Sequence, residues 1–345
     1  MMRRHGPAGP GVLLALVLTL ALPAPAPAAP AATDRRVYPA DVSGLPSYVQ
    51  RVAPSIVALK VRNAEGAASS LRLGSRRSGS GVIFDARGYV LTVSYLLLDA
   101  VAIEAQGYRG RTVGARLVGL DLDTGLGVIK LEDPGPWPVA TLGRSEEAVA
   151  GMRTGTVGID DDGDLVHVVG QLQAIQRFSA YWEYMLDRAF VISPASPGWG
   201  GSAVVNERGE VVGVVSLRLG EPPYTNLAIP IEKFVPGKDE LIGAGRIVSR
   251  PPRPWLGLYA VEAHGGLFVS EVSPLGPAAR AGVLKGDRIV RVNGVAVQSR
   301  EDFYLELWSR RAGDLIEMAV QRADRVRVIT VPSIDRHTLY RPREP

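Results

Sequence analysis

Hydrolysis by side chains needs a nucleophile, a base that titrates near neutral pH and a group that orients the base. The chain has no cysteine, which excludes a thiolate nucleophile, disulfides and thiolate metal sites. Imidazole is scarce: His5, His167, His264 and His337 are the only histidines. His5 lies in an N-terminal leader, His264 in a second domain and His337 in the C-terminal tail, while His167 stands alone in a strand-like run, as surface or packing histidines do. The acidic run DDDGD at 160–164 has oxygen ligands at alternating positions, as a calcium loop does. It lacks a distal glutamate and separates two strand-like runs, so it reads as a solvated hairpin turn. Nothing implies a metal or a cofactor. The aromatic group Phe178, Tyr181, Trp182 and Tyr184 reads as a loop folded onto the body, with a partner surface as the alternative.

The elements that must position any site fall into two grammars. Over 47–226, short Val/Ile/Leu runs (55–61, 81–84, 89–92, 127–131, 166–175, 203–205 and 211–217) alternate with Gly, Asp, Asn and Pro, the pattern of an all-β barrel or sandwich. A helix is expected over 231–243. RPPRP at 250–254 is a linker, because successive prolines lack donors and favour extended backbone. Beyond it, strands at 267–272 and 288–292 flank a short helix at 276–282. A longer amphipathic helix spans 299–311, with Ser299 as N-cap, Phe303, Leu307 and Trp308 on one face and Gly313 past its end. Strands at 315–320 and 326–331 close this domain, and the charged tail is expected to fray.

Composition agrees with two globular domains: 345 residues, 46% hydrophobic and 21% charged. The net charge of +4 comes from scattered arginines. No basic stripe interleaved with aromatics appears, which argues against nucleic-acid binding. Arg3 and Arg4 precede an apolar run at 12–22 and an Ala/Pro stretch ending near 28–32, the layout of a secretory signal peptide. The run is shorter than the roughly 20 apolar residues of a spanning helix, and no other segment has that character. An uncleaved anchor is the alternative.

Several motifs, in order, resemble the HtrA/Deg family of trypsin-like serine proteases. They are GSGVIF at 79–84, GYVLT at 88–92, VGLDLDTGLGVIK at 118–130, TLGRS at 141–145, SPGWGGSAVVN at 196–206, GEVVG at 209–213 and AIP at 228–230. WLGL at 255–258, PLGPAARAG at 274–282 and KGDRIVRVNG at 285–294 resemble the PDZ domain of the same family. The resemblance implies an all-β trypsin-like double β-barrel followed by a small α/β PDZ domain. The expected boundaries are a signal peptide at 1–31, a linker at 32–46, the protease-fold domain at 47–245, the Pro-rich linker at 246–254, the PDZ domain at 255–332 and a tail at 333–345.

Such proteases use serine as nucleophile, histidine as base and aspartate to orient it. Where the family has L-T-x-x-H, this chain reads LTVSY and places Tyr95 in the histidine slot. Where the D-L-A-V strand opens, it reads GLGV, leaving Gly125 for the carboxylate. Where P-G-N-S-G-G-P holds the nucleophile, it reads PGWGGS, with Gly200 in the serine slot and Gly198, Trp199 and Gly200 as the remnant of the oxyanion loop. Ser202 comes two residues late, a displacement that a reacting centre does not tolerate. By resemblance, Trp255, Leu256, Gly257 and Leu258 form a loop whose amides receive a C-terminal carboxylate, with Phe303 and Leu307 on the opposite wall. The expectation is an exported pseudoprotease binding protein C-termini as scaffold, regulator or chaperone-like factor, including a seat among catalytic relatives in a mixed oligomer. The alternative is an active endopeptidase in protein quality control with displaced catalytic groups.

Overall fold

The computed structural model describes residues 42–107, 110–160, 162–198 and 200–340; the leader and Trp199 lie outside them. A short helix, α1 (Ser47–Val52), leads into six strands: β1 (Ile56–Asn63), β2 (Arg76–Asp85), β3 (Tyr89–Val93), β4 (Ala100–Gln106), β5 (Thr112–Asp121) and β6 (Leu126–Leu131). They close a barrel in the order β1-β2-β3-β6-β5-β4. Helix α2 (Ser70–Leu73) precedes β2 and α3 (Ser94–Leu97) follows β3. A second closed barrel, in the order β10-β11-β12-β9-β8-β7, is made of β7 (Arg153–Ile159), β8 (Leu165–Ala180), β9 (Tyr184–Ser193), β10 (Ala203–Val205), β11 (Val211–Leu219) and β12 (Thr225–Pro230). The β-branched runs legible in the sequence supply the inward faces, and one buried cluster joins both barrels through residues such as Ile83, Leu91, Ile129, Val157 and Val214.

The expected helix at 231–243 begins late. Two 3-10 turns (Ile231–Lys233 and Val235–Gly237) come first, and α4 is Lys238–Ala244. Pro236 explains the delay, since its ring cannot continue a preceding helical turn. The acidic run 160–164 is the β7–β8 turn: Asp160 Oδ1 accepts the Asp162 and Asp164 N–H groups (3.1 and 2.9 Å). Arg250 of the Pro-rich segment donates to Asp121 (2.6 Å) and pairs with Asp123 (3.0 Å), fastening the segment to the first barrel.

The second domain is a sheet in the order β14-β15-β16-β18-β19, built from β14 (Leu258–Ala263), β15 (Gly266–Val272), β16 (Arg288–Val292), β18 (Leu315–Arg322) and β19 (Arg325–Pro332), with β17 (Val295–Ala296) paired to β16. Helix α5 is Pro277–Arg280 and α6 is Arg300–Leu307. A capping box between Ser299 and Asp302 starts α6 where the sequence indicates. It ends four residues sooner than expected, because Trp308 leaves helical geometry (φ −84°, ψ 3°).

Residues 333–340 of the tail are structured, contrary to the expected fraying. Strand β13 (Pro254–Trp255) pairs with β20 (Ile334–Asp335), and a 3-10 turn follows at Arg336–Leu339. Arg336 donates to the Leu122 carbonyl. The His337 ring pairs with Asp335 (3.1 Å) and places Nε2 at the Leu120 carbonyl (3.3 Å).

Candidate functional site

Two places hold the residues singled out in the sequence. In the first, β3 runs into α3 and presents Tyr95 toward the second barrel. The Tyr95 hydroxyl donates to the Ser216 carbonyl on β11 (3.0 Å). Desolvation pushes this phenol above its ordinary pKa, so at neutral pH it is a proton donor and no base. Gly200 faces it: a Cβ added at Gly200 would lie 2.7 Å from Tyr95 Oη. The Gly200 carbonyl accepts the Ser80 N–H (2.6 Å), which clamps this loop to β2.

Gly125 lies beneath the same corner, where its carbonyl accepts the Ser94 N–H (2.7 Å). Its backbone has φ +82°, and an added Cβ would approach Tyr184 Oη to 3.1 Å. Tyr184 donates to the Thr124 carbonyl (2.7 Å), so an aromatic side chain borders position 125. Tyr95, Gly125 and Gly200 thus gather at one junction between the barrels. Ser202 is fully buried and donates to the Gly198 carbonyl, with Ser80 Oγ 3.5 Å away. Asp121 and Asp123 point to the Pro-rich segment, bound to Arg250 and, for Asp123, Arg253 (3.6 Å). His167 sits on β8, its Nδ1 buried without a hydrogen-bond partner. Trp199 lies outside the described residues.

Arg77 holds the corner that carries Tyr95. Its guanidinium, nearly inaccessible, donates to the carbonyls of Tyr95 (2.6 Å), Leu98 (3.2 Å) and Gly74 (3.1 Å) and to Ser69 Oγ (2.8 Å). Arg77→Ala removes this donor from the Tyr95 and Gly74 carbonyls in a dry site, while the Leu98 carbonyl keeps Asn63 Nδ2 and Ser69 Oγ. The substitution should lower unfolding stability by about 3 kcal/mol in urea titrations; a loss below about 0.5 kcal/mol would mean the corner does not depend on Arg77.

The second place is the groove of the C-terminal domain, between β14 and α6. Leu256, Gly257 and Leu258 turn their N–H groups to one point. Phe303 and Leu307 are fully buried in the domain core, and Trp255 lies beside Gly257. The groove is filled. The turn between β8 and β9, residues 181–183, reaches into it, and Glu183 accepts the N–H groups of Leu256 (3.0 Å), Gly257 (2.7 Å) and Leu258 (2.9 Å). The Tyr181 carbonyl accepts the Ala260 N–H (2.9 Å), extending the β14 edge. Tyr304 on α6 donates to the Ala180 carbonyl (2.6 Å) and accepts the Glu183 N–H (2.9 Å). Met185 on β9 joins the core of this domain. Burial pushes the Glu183 carboxyl up to about 7, against the three amides and the Arg336 charge that hold it down.

The aromatic group therefore corrects its own reading: its turn meets the second domain as well as the barrel. Tyr181 stacks edge-on against Trp182 and leans on Tyr259 of β14 (6.0 Å), while Trp182 stacks on Tyr184 (6.2 Å). No sequence pattern marks Glu183 or Tyr304; the only signal is the density of aromatics around Glu183.

Residues 79–214 fit the trypsin-like peptidase domain and residues 254–332 the PDZ domain. The serine endoprotease DegS of Escherichia coli strain K12 is 30% identical over 295 residues, covering 80% of this chain and 82% of DegS. The serine protease Do-like HtrA of Lactobacillus helveticus is 26% identical over 283 residues, covering 73% of this chain and 67% of that protein. Among solved structures, the serine endoprotease from Yersinia pestis is 26% identical with a TM-score of 0.52, covering 84% of this chain and 96% of that one. The HtrA-type protease AlgW with a tripeptide is 25% identical with a TM-score of 0.53, covering 83% and 95%. With its two six-stranded barrels and the domain that follows them, the chain belongs to the HtrA family of trypsin-like serine proteases with a C-terminal PDZ domain.

Proposed function

We propose that this family member has lost proteolysis and acts, after export, as a pseudoprotease that binds protein segments through its PDZ domain, as scaffold, regulator or chaperone-like factor. The observation that carries this reading is the contact of Tyr95 with Gly200, at the slots where the family's pattern has base and nucleophile. A buried phenol cannot accept a proton from a hydroxyl at neutral pH, and position 200 has no hydroxyl. Substitutes are poorly placed among the described residues. Ser202 donates to Gly198, Asp121 and Asp123 are bound by arginines, and His337 faces a backbone carbonyl. The "Probable periplasmic serine endoprotease DegP-like" of Halomonas elongata, 30% identical over 274 residues, supports an exported setting, and AlgW with a tripeptide supports peptides as ligands.

Purified protein should not label with a fluorophosphonate probe. Stoichiometric labelling that disappears in Ser202→Ala would instead establish an endopeptidase with displaced groups. The filled groove favours a second reading, a structural seat in a mixed assembly with catalytic relatives. Affinity capture from the exported protein fraction separates the two: release by a peptide with a free C-terminus supports recognition, and release only on dissociation of the assembly supports the structural seat.

A further inference from the structure

We infer that the β8–β9 turn is a built-in pseudo-ligand of the PDZ groove, with the Glu183 side-chain carboxylate standing where the C-terminal carboxylate of a partner chain would bind. The inference rests on the peptide-binding reading above and adds who holds the groove when no partner is present. Three consecutive amides, of Leu256, Gly257 and Leu258, converge on one carboxylate. Such convergence is the recognition chemistry of an anion, and without the turn these donors would have only water or another ligand to bond. The mimicry extends upstream. An extended ligand adds to a sheet edge by offering carbonyls to strand N–H groups. Here the Tyr181 carbonyl, two residues before the carboxylate, takes the Ala260 N–H of β14. Tyr304 clamps the opposite side of the same segment, at Ala180 and at Glu183.

Glu183 itself has a left-handed backbone, φ +54°. That conformation is costly for a residue with a Cβ, and the surrounding contacts must hold it. A chain ending in a free carboxylate behind an apolar side chain offers the groove the same carboxylate and the same carbonyl without that constraint. The geometry makes such a chain a competitor of the turn, and occupancy of the groove a choice between the turn and a partner. The turn continues into Tyr184, which abuts Gly125, so its withdrawal would reach the junction between the barrels.

The test uses the full chain, its Glu183→Gln and Glu183→Ala variants, and fluorescein-labelled decapeptides with randomised interiors. The peptides end in Leu, Val or Phe with a free carboxylate, and amidated copies serve as controls. Anisotropy should show the free-acid peptides binding at least about tenfold more tightly to both variants than to the unaltered chain, and amidated peptides failing on all three. Hydrogen exchange should show the amides of residues 256–258 protected in the unaltered chain and faster in the variants. Tyr304→Phe, which loosens the turn from the α6 side, should move both readouts the same way and covers misfolding of a Glu183 variant. Equal affinity across the proteins, or unprotected amides in the unaltered chain, overturns the pseudo-ligand while leaving peptide binding intact. Faster exchange in the variants with no peptide bound by any protein keeps the pseudo-ligand and removes the peptide-binding reading.

Discussion

Gly200→Ser should leave the protein without detectable hydrolysis of unfolded casein, although on the reading proposed above it puts a serine in the nucleophile slot. A serine at 200 must place its Cβ where the Tyr95 hydroxyl now sits 2.7 Å away, so the phenol tip has to move and give up its bond to Ser216. The new hydroxyl would then face a phenol whose pKa is raised, and no group nearby would take its proton. Loss of the base from a working triad costs several orders of magnitude in turnover, so adding the nucleophile alone recovers none of it.

Adding Tyr95→His and Gly125→Asp to Gly200→Ser should not rescue activity either. Position 125 has φ +82° and is bordered by Tyr184 Oη, which makes aspartate strained and crowded there. The left-handed backbone alone costs about 1–2 kcal/mol for a residue with a Cβ, so the triple variant should also melt several degrees lower. Turnover by Gly200→Ser alone, above that of an unrelated control protein, would show that the base lies elsewhere than at Tyr95.

Peptide binding should strengthen about tenfold between pH 5.5 and pH 8 in the unaltered chain and stay nearly flat in Glu183→Gln. With the turn docked, the Glu183 carboxyl titrates near 7; a free glutamate titrates at 4.5. Between those values the docked state holds a proton that the undocked state releases. Docking therefore keeps its full contribution below about pH 4.5 and loses it as pH rises through about 7. A competing peptide carboxylate starts from a lower pKa than a glutamate, so the same burial leaves it ionised over more of the range, and higher pH weakens the turn more than the peptide. Other titratable and charged groups surround Glu183. Arg336, Arg253, Asp123, Asp335 and His337 border the same small cavity, Tyr304 faces it from α6 and Tyr259 lies on β14. The Glu183→Gln variant keeps all of them, so a pH response that survives in it belongs to those groups and contradicts the assignment. The anisotropy titrations described above, repeated at the two pH values, read this directly.

The sequence makes the barrels legible because their interior is written locally: short β-branched runs, cut by Gly and Pro, that fold inward whatever their partners. Only a comparison with a family pattern draws attention to Tyr95, Gly125 and Gly200, since nothing in their own chemistry marks them. Their meeting at one junction is a product of barrel closure. The docked tail was illegible for a physical reason. Arg336 and His337 bond to the backbone carbonyls of Leu122 and Leu120, more than 200 residues away, and a carbonyl carries no side-chain signature. Glu183 was hidden in the same way. Its three partners are backbone amides 73 to 75 residues downstream, and a single glutamate in an aromatic turn has no periodicity to betray it. The start of helix α6 is legible because Ser299 and Asp302 cap it; its end is not, because Gly313 reads as the stop signal while the helix already ends at Leu307.

On the reading proposed above, the barrel junction does not cleave peptide bonds, even when the PDZ groove is occupied. Casein turnover by the purified full chain, measured with and without saturating decapeptides ending in a free apolar residue, tests it most directly. The expected result is no turnover in either condition. Turnover that appears with the peptide, persists through purification and is abolished by Ser202→Ala would contradict it.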